Sequence, residues 1–390
     1  MKYIVLLCDG MADWPLEFLG GKTVTQAANI PNMDKLATGG ICGLIHTVPD
    51  GMAPGSDVCN LSIFGYNPAK YYTGRSPLEA VSMGVELGEH DTALRCNIIT
   101  LGQNMTVMDD FTAGHIDGIY SENVIESLKE VFKDEKNIEF YKGVGYRHLV
   151  VLRNIDINPE TTPPHDITGK EISAYMPCGD GGDVLRHIMQ KAQRVFDGRI
   201  DAGKGNAIWL WGAGKRPSLP SYKEMYGIKG AVISAVDLIK GIGICAGLEI
   251  IDVPGATGFI DTNFEGKAQY AVNALETNDY VFVHVEATDE CGHMGDAEKK
   301  IKAAEAIDSR MLPILMRGLE KFGDYRILIT PDHPTPIELK THSKEPVPAI
   351  IFGTGINPDE NTTYGEHIKP SFDIKDGYRI ADYFIKDIKD

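Results

Sequence analysis

A chain of 390 residues, 43% hydrophobic and 24% charged, has the composition of an ordinary soluble globular protein and length enough for two domains. Its net charge of −17 argues against nucleic acid and anionic membrane surfaces as partners. The same field repels phosphorylated small molecules, so such a substrate would have to be attracted by metal ions and by locally clustered Arg and Lys.

The N-terminal run YIVLLCD (3–9) reads as a buried parallel strand with Asp9 at its C-terminal tip. The run is too short for the apolar core of a secretory signal, and no stretch approaches the roughly 20 apolar residues needed to span a bilayer. NIPNMDKLATGG (29–40) reads as a helix, with Pro31 near its start and Gly39–Gly40 at its end. Ser56 follows in a glycine-containing turn, APGS, ahead of the helix-like DVCNLSIFGY. Residues 87–217 change character. They hold shorter β-like runs (LRCNIITL, YRHLVVLR, AIWLWG), a helix around 181–197 and the loop NPETTPPHDITG. The last third returns to α/β grammar. YVFVHVEATD (280–289) is a strand running into Asp289, and 296–321 is a helical pattern. YRILITPDH (325–333) is a strand tipped by Asp332 and His333, and VPAIIFG (347–353) is a fourth strand. The expected fold is therefore α/β. A mostly parallel sheet sandwiched by helices is built from residues 1–86 and 218–390, and 87–217 form an inserted α+β domain. The seven cysteines are scattered without a C-x-x-C pair, which fits a reducing compartment and a cytoplasmic location.

Three strands deliver carboxylates or imidazoles at their C-terminal ends, and in an open parallel sheet those ends share the edge where ligands bind. Asp9, Asp289, His293, Asp332, His333 and His342 together offer about what two adjacent divalent cations require. Asp289 and His293 are four apart, either as one helical turn or as a tight loop, and Gly292 and Gly295 favour the loop. Glu286 is a further ligand or a buried carboxylate. Ser56 is either a helix cap or a nucleophile beside an anion-binding helix end, and Asn60 lies one turn on. Arg75, Arg147, Lys215, Arg216 and Lys240 sit in or beside turn-like segments, where a backbone can approach an anion. Each is otherwise a solvated charge. His115 and His165–Asp166 divide between a site role and a structural hydrogen bond. Metal, anion and nucleophile together point to phosphoryl transfer to or from a phosphorylated small molecule.

The succession LLCDGMAD, PGSDVCNLSIFGYNP, YYTGRSPLEA, TPPHDITG, TDECGHMGD, PDHPTP and THSKEPVP spans nearly the whole chain. It resembles the cofactor-independent phosphoglycerate mutases, archaeal-type branch, of the alkaline phosphatase superfamily. The resemblance implies interconversion of 3-phosphoglycerate and 2-phosphoglycerate without bisphosphoglycerate, through phosphoserine at Ser56. It implies one metal on Asp289, His293 and His342, and another on Asp9, Ser56, Asp332 and His333. Mn²⁺ or Zn²⁺ suits these ligands, and Mg²⁺ is compatible. Lys240 matches the family lysine that contacts the phosphoryl group. Arg75, His115, Arg147, Lys215 and Arg216 are the candidates for holding the phosphorylated hydroxy acid. The GRD-type insert motifs of the longer bacterial branch are absent. A metal-dependent phosphatase or phosphonate hydrolase and a homoserine-kinase-like phosphotransferase are the alternatives. The sequence lacks the nucleotide-binding loops G-x-x-x-x-G-K-[ST] and the kinase Gly-rich loop, and it leaves the oligomeric state open.

Overall fold

In the computed structural model, which describes residues 1–102, 104–197 and 204–386, the first apolar run is the strand Lys2–Cys8, buried from Tyr3 onward. Burial on both faces means that it lies inside a sheet covered on both sides. The sheet has eight strands, in the order Glu249–Ile250, Gly230–Ile233, Tyr280–Val285, Lys2–Cys8, Tyr325–Thr330, Val347–Gly353, Ile41–Ile45, Phe372–Ile374. The first five are mutually parallel. Val347–Gly353 is antiparallel to both neighbours, which makes the sheet mixed at that side.

Side chains alternate across the sheet with period two. Ile4, Leu6 and Cys8 join Val281, Val283 and Val285 in one core, under the helices Pro31–Gly39, Phe264–Ala274 and Leu312–Leu319. On the opposite face Tyr3 meets Phe384 edge to face and Phe282 stacks on Phe64 at 4.0 Å. In register, Cys8 pairs with Val285 and Leu7 with Thr330. The residues that follow these three strands therefore emerge at one edge.

The chain divides into two compact units, Met1–Tyr72 with Ser218–Asp390, and Thr73–Pro217. Helix Arg75–Ser82 falls in the second unit, whereas the expected boundary after residue 86 placed it in the first. The reason is local. Ser76 Oγ donates to the Gly212 carbonyl at 2.6 Å, and Glu79 pairs with Arg95 of the neighbouring strand. In the second unit Thr92–Gly102 is flanked by Arg147–Leu152, Ala207–Gly214 and Val107–Asp110, all antiparallel. Helix Gly182–Ala192 lies where the sequence put a helix, and a second one, Gly118–Val131, was not foreseen. Its apolar stripe runs through Val124, Ile125, Leu128, Val131 and Phe132, and Asp117 caps it by accepting from Ile119 N–H at 2.8 Å.

The helical pattern at 296–321 is interrupted. Helix Ala297–Ala306 runs into a π-turn, Ile307–Met311, before Leu312–Leu319. Pro313 has no N–H for the regular ladder there. The turn aims the buried Asp308 carboxylate at the uncapped start of helix Pro31–Gly39, where it accepts from Met33 N–H at 2.7 Å and Asn32 N–H at 3.2 Å. No helix among the described residues is long and apolar enough to cross a membrane. Asp308→Ala removes a tertiary cap to buried amides and is expected to cost about 2 kcal/mol in urea denaturation.

Candidate active site and metal centre

Asp9 leaves the end of strand Lys2–Cys8 and is 2% exposed. Gly10 follows at φ +60°, and its N–H donates to Asp332 Oδ1 at 3.1 Å. A Cβ there would lie 2.4 Å from Thr335 Oγ1 and 2.6 Å from Asp289 Oδ1, so only glycine lets the three segments close together. Asp332 and His333 stand just past strand Tyr325–Thr330, where the backbone turns and His333 N–H donates to Asp332 Oδ1 at 2.9 Å. Ser56 is the first residue of helix Ser56–Ile63 and Gly55 is the cap. The hydroxyl is thus free of capping, and Ser56 Oγ lies 3.2 Å from His333 Nε2. The Asn60 amide nitrogen spans the Ser56 carbonyl (2.9 Å) and Asp332 Oδ2 (2.7 Å), tying the helix to the strand end.

Asp289 and His293 belong to a helix, Ala287–Met294, and not to the loop that the glycines suggested. Gly292 sits inside the helix because any Cβ would press on the Thr335 carbonyl at 2.5 Å, and Gly295 ends it at φ +69°. One turn apart, Asp289 Oδ2 and His293 Nε2 are 3.2 Å from each other. His342 Nε2 reaches within 3.1 Å of His293 Nε2 and 3.6 Å of Asp289 Oδ1. Among the described residues two sets present ligand atoms within 4.8 Å of one another: Asp9, Asp332, His333 and Asp289, His333, His342. His333 stands in both, and His293 adjoins the second.

The protonation pattern follows from the hydrogen bonds. Thr335 Oγ1 donates to Asp289 Oδ1 at 2.5 Å and so accepts at 3.2 Å from His333 Nδ1–H. The His333 Nε2 lone pair is left facing Asp332 Oδ2 (3.3 Å) and Asp9 Oδ1 (3.5 Å). His293 Nδ1–H donates to the Lys340 carbonyl at 3.0 Å, which turns its Nε2 toward His342 and Asp289. Burial and the charges of Asp332, Asp289 and Glu286 raise Asp9 well above the usual carboxylate range. Burial and Asp289 push Asp332 up to about 6. Burial also raises Asp289, but the hydrogen bond and charge of His293 outweigh it and hold that carboxyl far down. Burial lowers His333 to about 4 and His342 to about 3. For His293 burial is overcome by Asp289, and it is pushed up to about 9. Buried carboxylates and imidazoles that converge this way, with Asp9 Oδ1 lacking a hydrogen-bond partner, match the donor chemistry of a divalent cation site.

A family model described as 2,3-bisphosphoglycerate-independent phosphoglycerate mutase matches residues 37–199. The probable enzyme of that name from Geobacter sulfurreducens is 50% identical, over 99% of this chain and 100% of its own length. That from Methanothrix thermoacetophila is 51% identical over 94% of each. This chain belongs to the 2,3-bisphosphoglycerate-independent phosphoglycerate mutase family. A solved Pyrococcus horikoshii protein superposes with a TM-score of 0.80 at 30% identity, covering 99% of this chain and 96% of its own. A cofactor-independent phosphoglycerate mutase from Thermoplasma acidophilum shares the fold, with a TM-score of 0.63 at 24% identity over 99% of both chains.

The basic candidates of this family member are dispersed. Lys240, on helix Asp237–Cys245, pairs with Asp252 at 2.7 Å and not with the carboxylate–imidazole cluster. In the second unit Arg75 and Arg95 both bind Glu79 Oε1, at 3.0 and 2.9 Å. Arg147 is near enough for its charge to act on both Glu79 and Arg95. Lys215 pairs with Asp156, Arg216 is exposed, and His115 stands exposed at φ +54°. His165 packs its ring against Phe111 and Trp211. Three contributors escaped the sequence reading: Arg95, Thr335 and His284. Arg95 and His284 were legible as lone polar residues inside apolar strands. Gly10→Ala is expected to lose about 3 kcal/mol in urea denaturation, from strain plus overlap. Gly20→Ala, at φ +69° with open space around its Cβ, should lose only about 1 kcal/mol.

Proposed function

We propose that this chain interconverts 3-phosphoglycerate and 2-phosphoglycerate, with Ser56 as the group that carries the phosphoryl in transit. The observation that carries the reading is the uncapped Ser56 hydroxyl, at the start of a helix and 3.2 Å from His333 Nε2, beside two overlapping clusters of cation ligands. Asp9, Asp332, His333 and Ser56 would hold one divalent cation, and Asp289, His293 and His342 the other, with His333 placed to serve either. When bound, such ions polarise phosphoryl oxygens and lower the pKa of a ligated hydroxyl. Mn²⁺ or Zn²⁺ suits mixed carboxylate and imidazole donors, and Mg²⁺ is compatible.

The residues of the chain divide the remaining work. A bond forms between Ser56 Oγ and phosphorus as the bond to the substrate oxygen breaks, and the released glycerate oxygen takes up one proton in place of the one the serine hydroxyl gives up. The reverse transfer to the neighbouring hydroxyl completes an isomerisation with no net co-reactant. Amides in the first turn of helix Ser56–Ile63 supply donors and a positive dipole end for the phosphoryl oxygens. The second unit would recognise the acid. Arg75, Arg95 and Arg147 surround the single carboxylate of Glu79, and Arg95 Nε is buried without a hydrogen-bond partner. That excess of guanidinium charge suits a carboxylate or phosphate oxygen. Lys240, His115, Lys215 and Arg216 remain candidate contacts.

The decisive experiment is a coupled assay for 2-phosphoglycerate from 3-phosphoglycerate, without bisphosphoglycerate and with each metal in turn. Ser56→Ala should lower turnover on the order of 10⁴-fold or more while cation binding largely survives. Full activity in that variant defeats the phosphoserine route, and release of inorganic phosphate by the unmodified enzyme identifies a hydrolase. A second prediction concerns pH. With no cation bound, His293 keeps its proton up to about pH 9 and Asp9 is held protonated above the usual carboxylate range. Cation uptake must displace these protons, so Mn²⁺ affinity should rise from pH 6 to pH 9 with proton release. Calorimetry in buffers of different ionisation enthalpy measures it.

A further inference from the structure

His284 lies in the strand Tyr280–Val285, on the same face as Tyr280 and Phe282, and is wholly buried. An imidazole in that position packs less well than the apolar side chains beside it and must be hydrogen-bonded at both nitrogens. Both are engaged. Nε2 is 2.8 Å from Asp9 Oδ2, and Nδ1 is 3.2 Å from Ser234 Oγ. Ser234 lies just beyond strand Gly230–Ile233, which neighbours Tyr280–Val285 in the sheet. Its Oγ accepts from Val236 N–H at 3.0 Å.

The Ser234 hydroxyl also lies 3.5 Å from the Val236 carbonyl, and the ionisation of Asp9 sets which acceptor takes its proton. Ionised, as cation ligation requires, Asp9 only accepts, so His284 Nε2 then carries the hydrogen. Nδ1 is then an acceptor and takes the Ser234 hydroxyl proton, while the Val236 N–H supplies the bond that the serine oxygen needs. The chain runs from a backbone amide through Ser234 and His284 to a single oxygen of Asp9. The other oxygen, Oδ1, is the buried atom with no hydrogen-bond partner, and it faces His333 Nε2.

We infer that His284, oriented by Ser234, is a positioning residue for the cation site. It occupies Asp9 Oδ2 and thereby fixes Oδ1 as the atom presented to the metal. The inference rests on the metal reading of Asp9 given above. Such partners of ligating groups typically govern metal affinity by 10–100-fold. The Asp9 main chain is held independently, since Thr288 Oγ1 donates to its carbonyl and Asp9 N–H donates to the Val285 carbonyl at 2.9 Å. Removing His284 therefore frees the carboxylate to rotate without releasing the backbone.

The test is Mn²⁺ titration of the full-length, chelator-treated protein, followed by the electron paramagnetic resonance signal of free Mn²⁺. His284→Leu should weaken one of the bound Mn²⁺ equivalents by about 10–100-fold. His284→Gln, whose amide can donate to Oδ2, should stay within about threefold. A structural role alone would shift the metal-free melting temperature and leave the Mn²⁺ affinity in place. Unchanged affinity in the leucine variant, or equal loss in leucine and glutamine variants, overturns the inference. Should His284→Leu fail to fold, His284→Asn replaces it, because its shorter amide stops near the Nδ1 position. Equal affinities for the asparagine and glutamine variants then overturn it. Asp9→Asn separates the two readings. If that variant keeps both Mn²⁺ equivalents, the metal assignment itself fails. If it loses one while His284→Leu loses none, only the role of His284 falls.

Discussion

Three carboxylates, Asp9, Asp289 and Asp332, are gathered almost out of solvent within reach of three imidazoles, and the rest of this fold is organised around holding them there. Like charges in a low-dielectric site repel strongly, and the protein without a cation relieves this by holding protons where it can. Asp9 is raised, Asp332 is raised to about 6, and His293 is raised to about 9. A site that must borrow protons to be tolerable is one that a divalent cation stabilises. The fixed tautomer of His333 turns a lone pair toward the carboxylates, whereas His293, with Nδ1 committed to the Lys340 carbonyl, keeps its second proton on Nε2 beside Asp289 until a cation displaces it.

The cost of this assembly is offset by a core that extends over both faces of the sheet and by buried polar ties around the site. Lys300 is the clearest of these ties. Its ammonium is fully buried and donates to the Ala12 carbonyl, the Thr335 carbonyl and Asp13 Oδ2 at 2.8–3.1 Å. It links the segment after strand Lys2–Cys8 to the segment after strand Tyr325–Thr330. A buried cation with all three protons engaged is tolerated where an unpaired one would not be. Thr335 is used twice, its carbonyl by Lys300 and its hydroxyl between His333 and Asp289. Its neighbours Gly10 and Gly292 leave no room for a Cβ.

The site was legible in the sequence to the extent that strand ends are legible. Asp9, Asp332 and Asp289 each follow a run of apolar, largely β-branched or aromatic residues, and a parallel sheet brings such ends to one edge. His333, His293 and His342 stand out by residue type close after those runs, and Ser56 by its glycine-containing turn ahead of a helix-like run. What escaped was set by tertiary contact. Gly292 reads as a loop signal, yet it lies within a helix because of the Thr335 carbonyl. Arg75 reads with the first segment, yet its helix packs with the strands of the second unit through Ser76 and Glu79. Helix Gly118–Val131 was legible in the spacing of Val124, Ile125, Leu128, Val131 and Phe132 but went unread. His284 and Arg95 were passed over as core positions because nothing local reveals a hydrogen bond to a distant chain segment.

The two units solve opposite electrostatic problems, and this gives the division of the chain a chemical sense. The sheet unit concentrates carboxylates and imidazoles, so on the proposed function its affinity for a phosphoryl group would depend on cations. The inserted unit concentrates guanidinium groups around one glutamate, and on the proposed function these would attract an anion directly. Burial pulls Arg95 down only to about 10, with Glu79 opposing it, so the positive charge persists at neutral pH. A phosphorylated hydroxy acid carries two anionic ends of different chemistry. A metal cluster discriminates phosphoryl oxygens through its geometry, and a planar guanidinium favours a carboxylate through paired N–H donors. A net charge of −17 makes non-specific anion binding over the rest of the surface unfavourable. On the proposed function, selectivity for a small phosphorylated acid would follow from where the cation ligands and the guanidinium cluster are placed and not from the overall field.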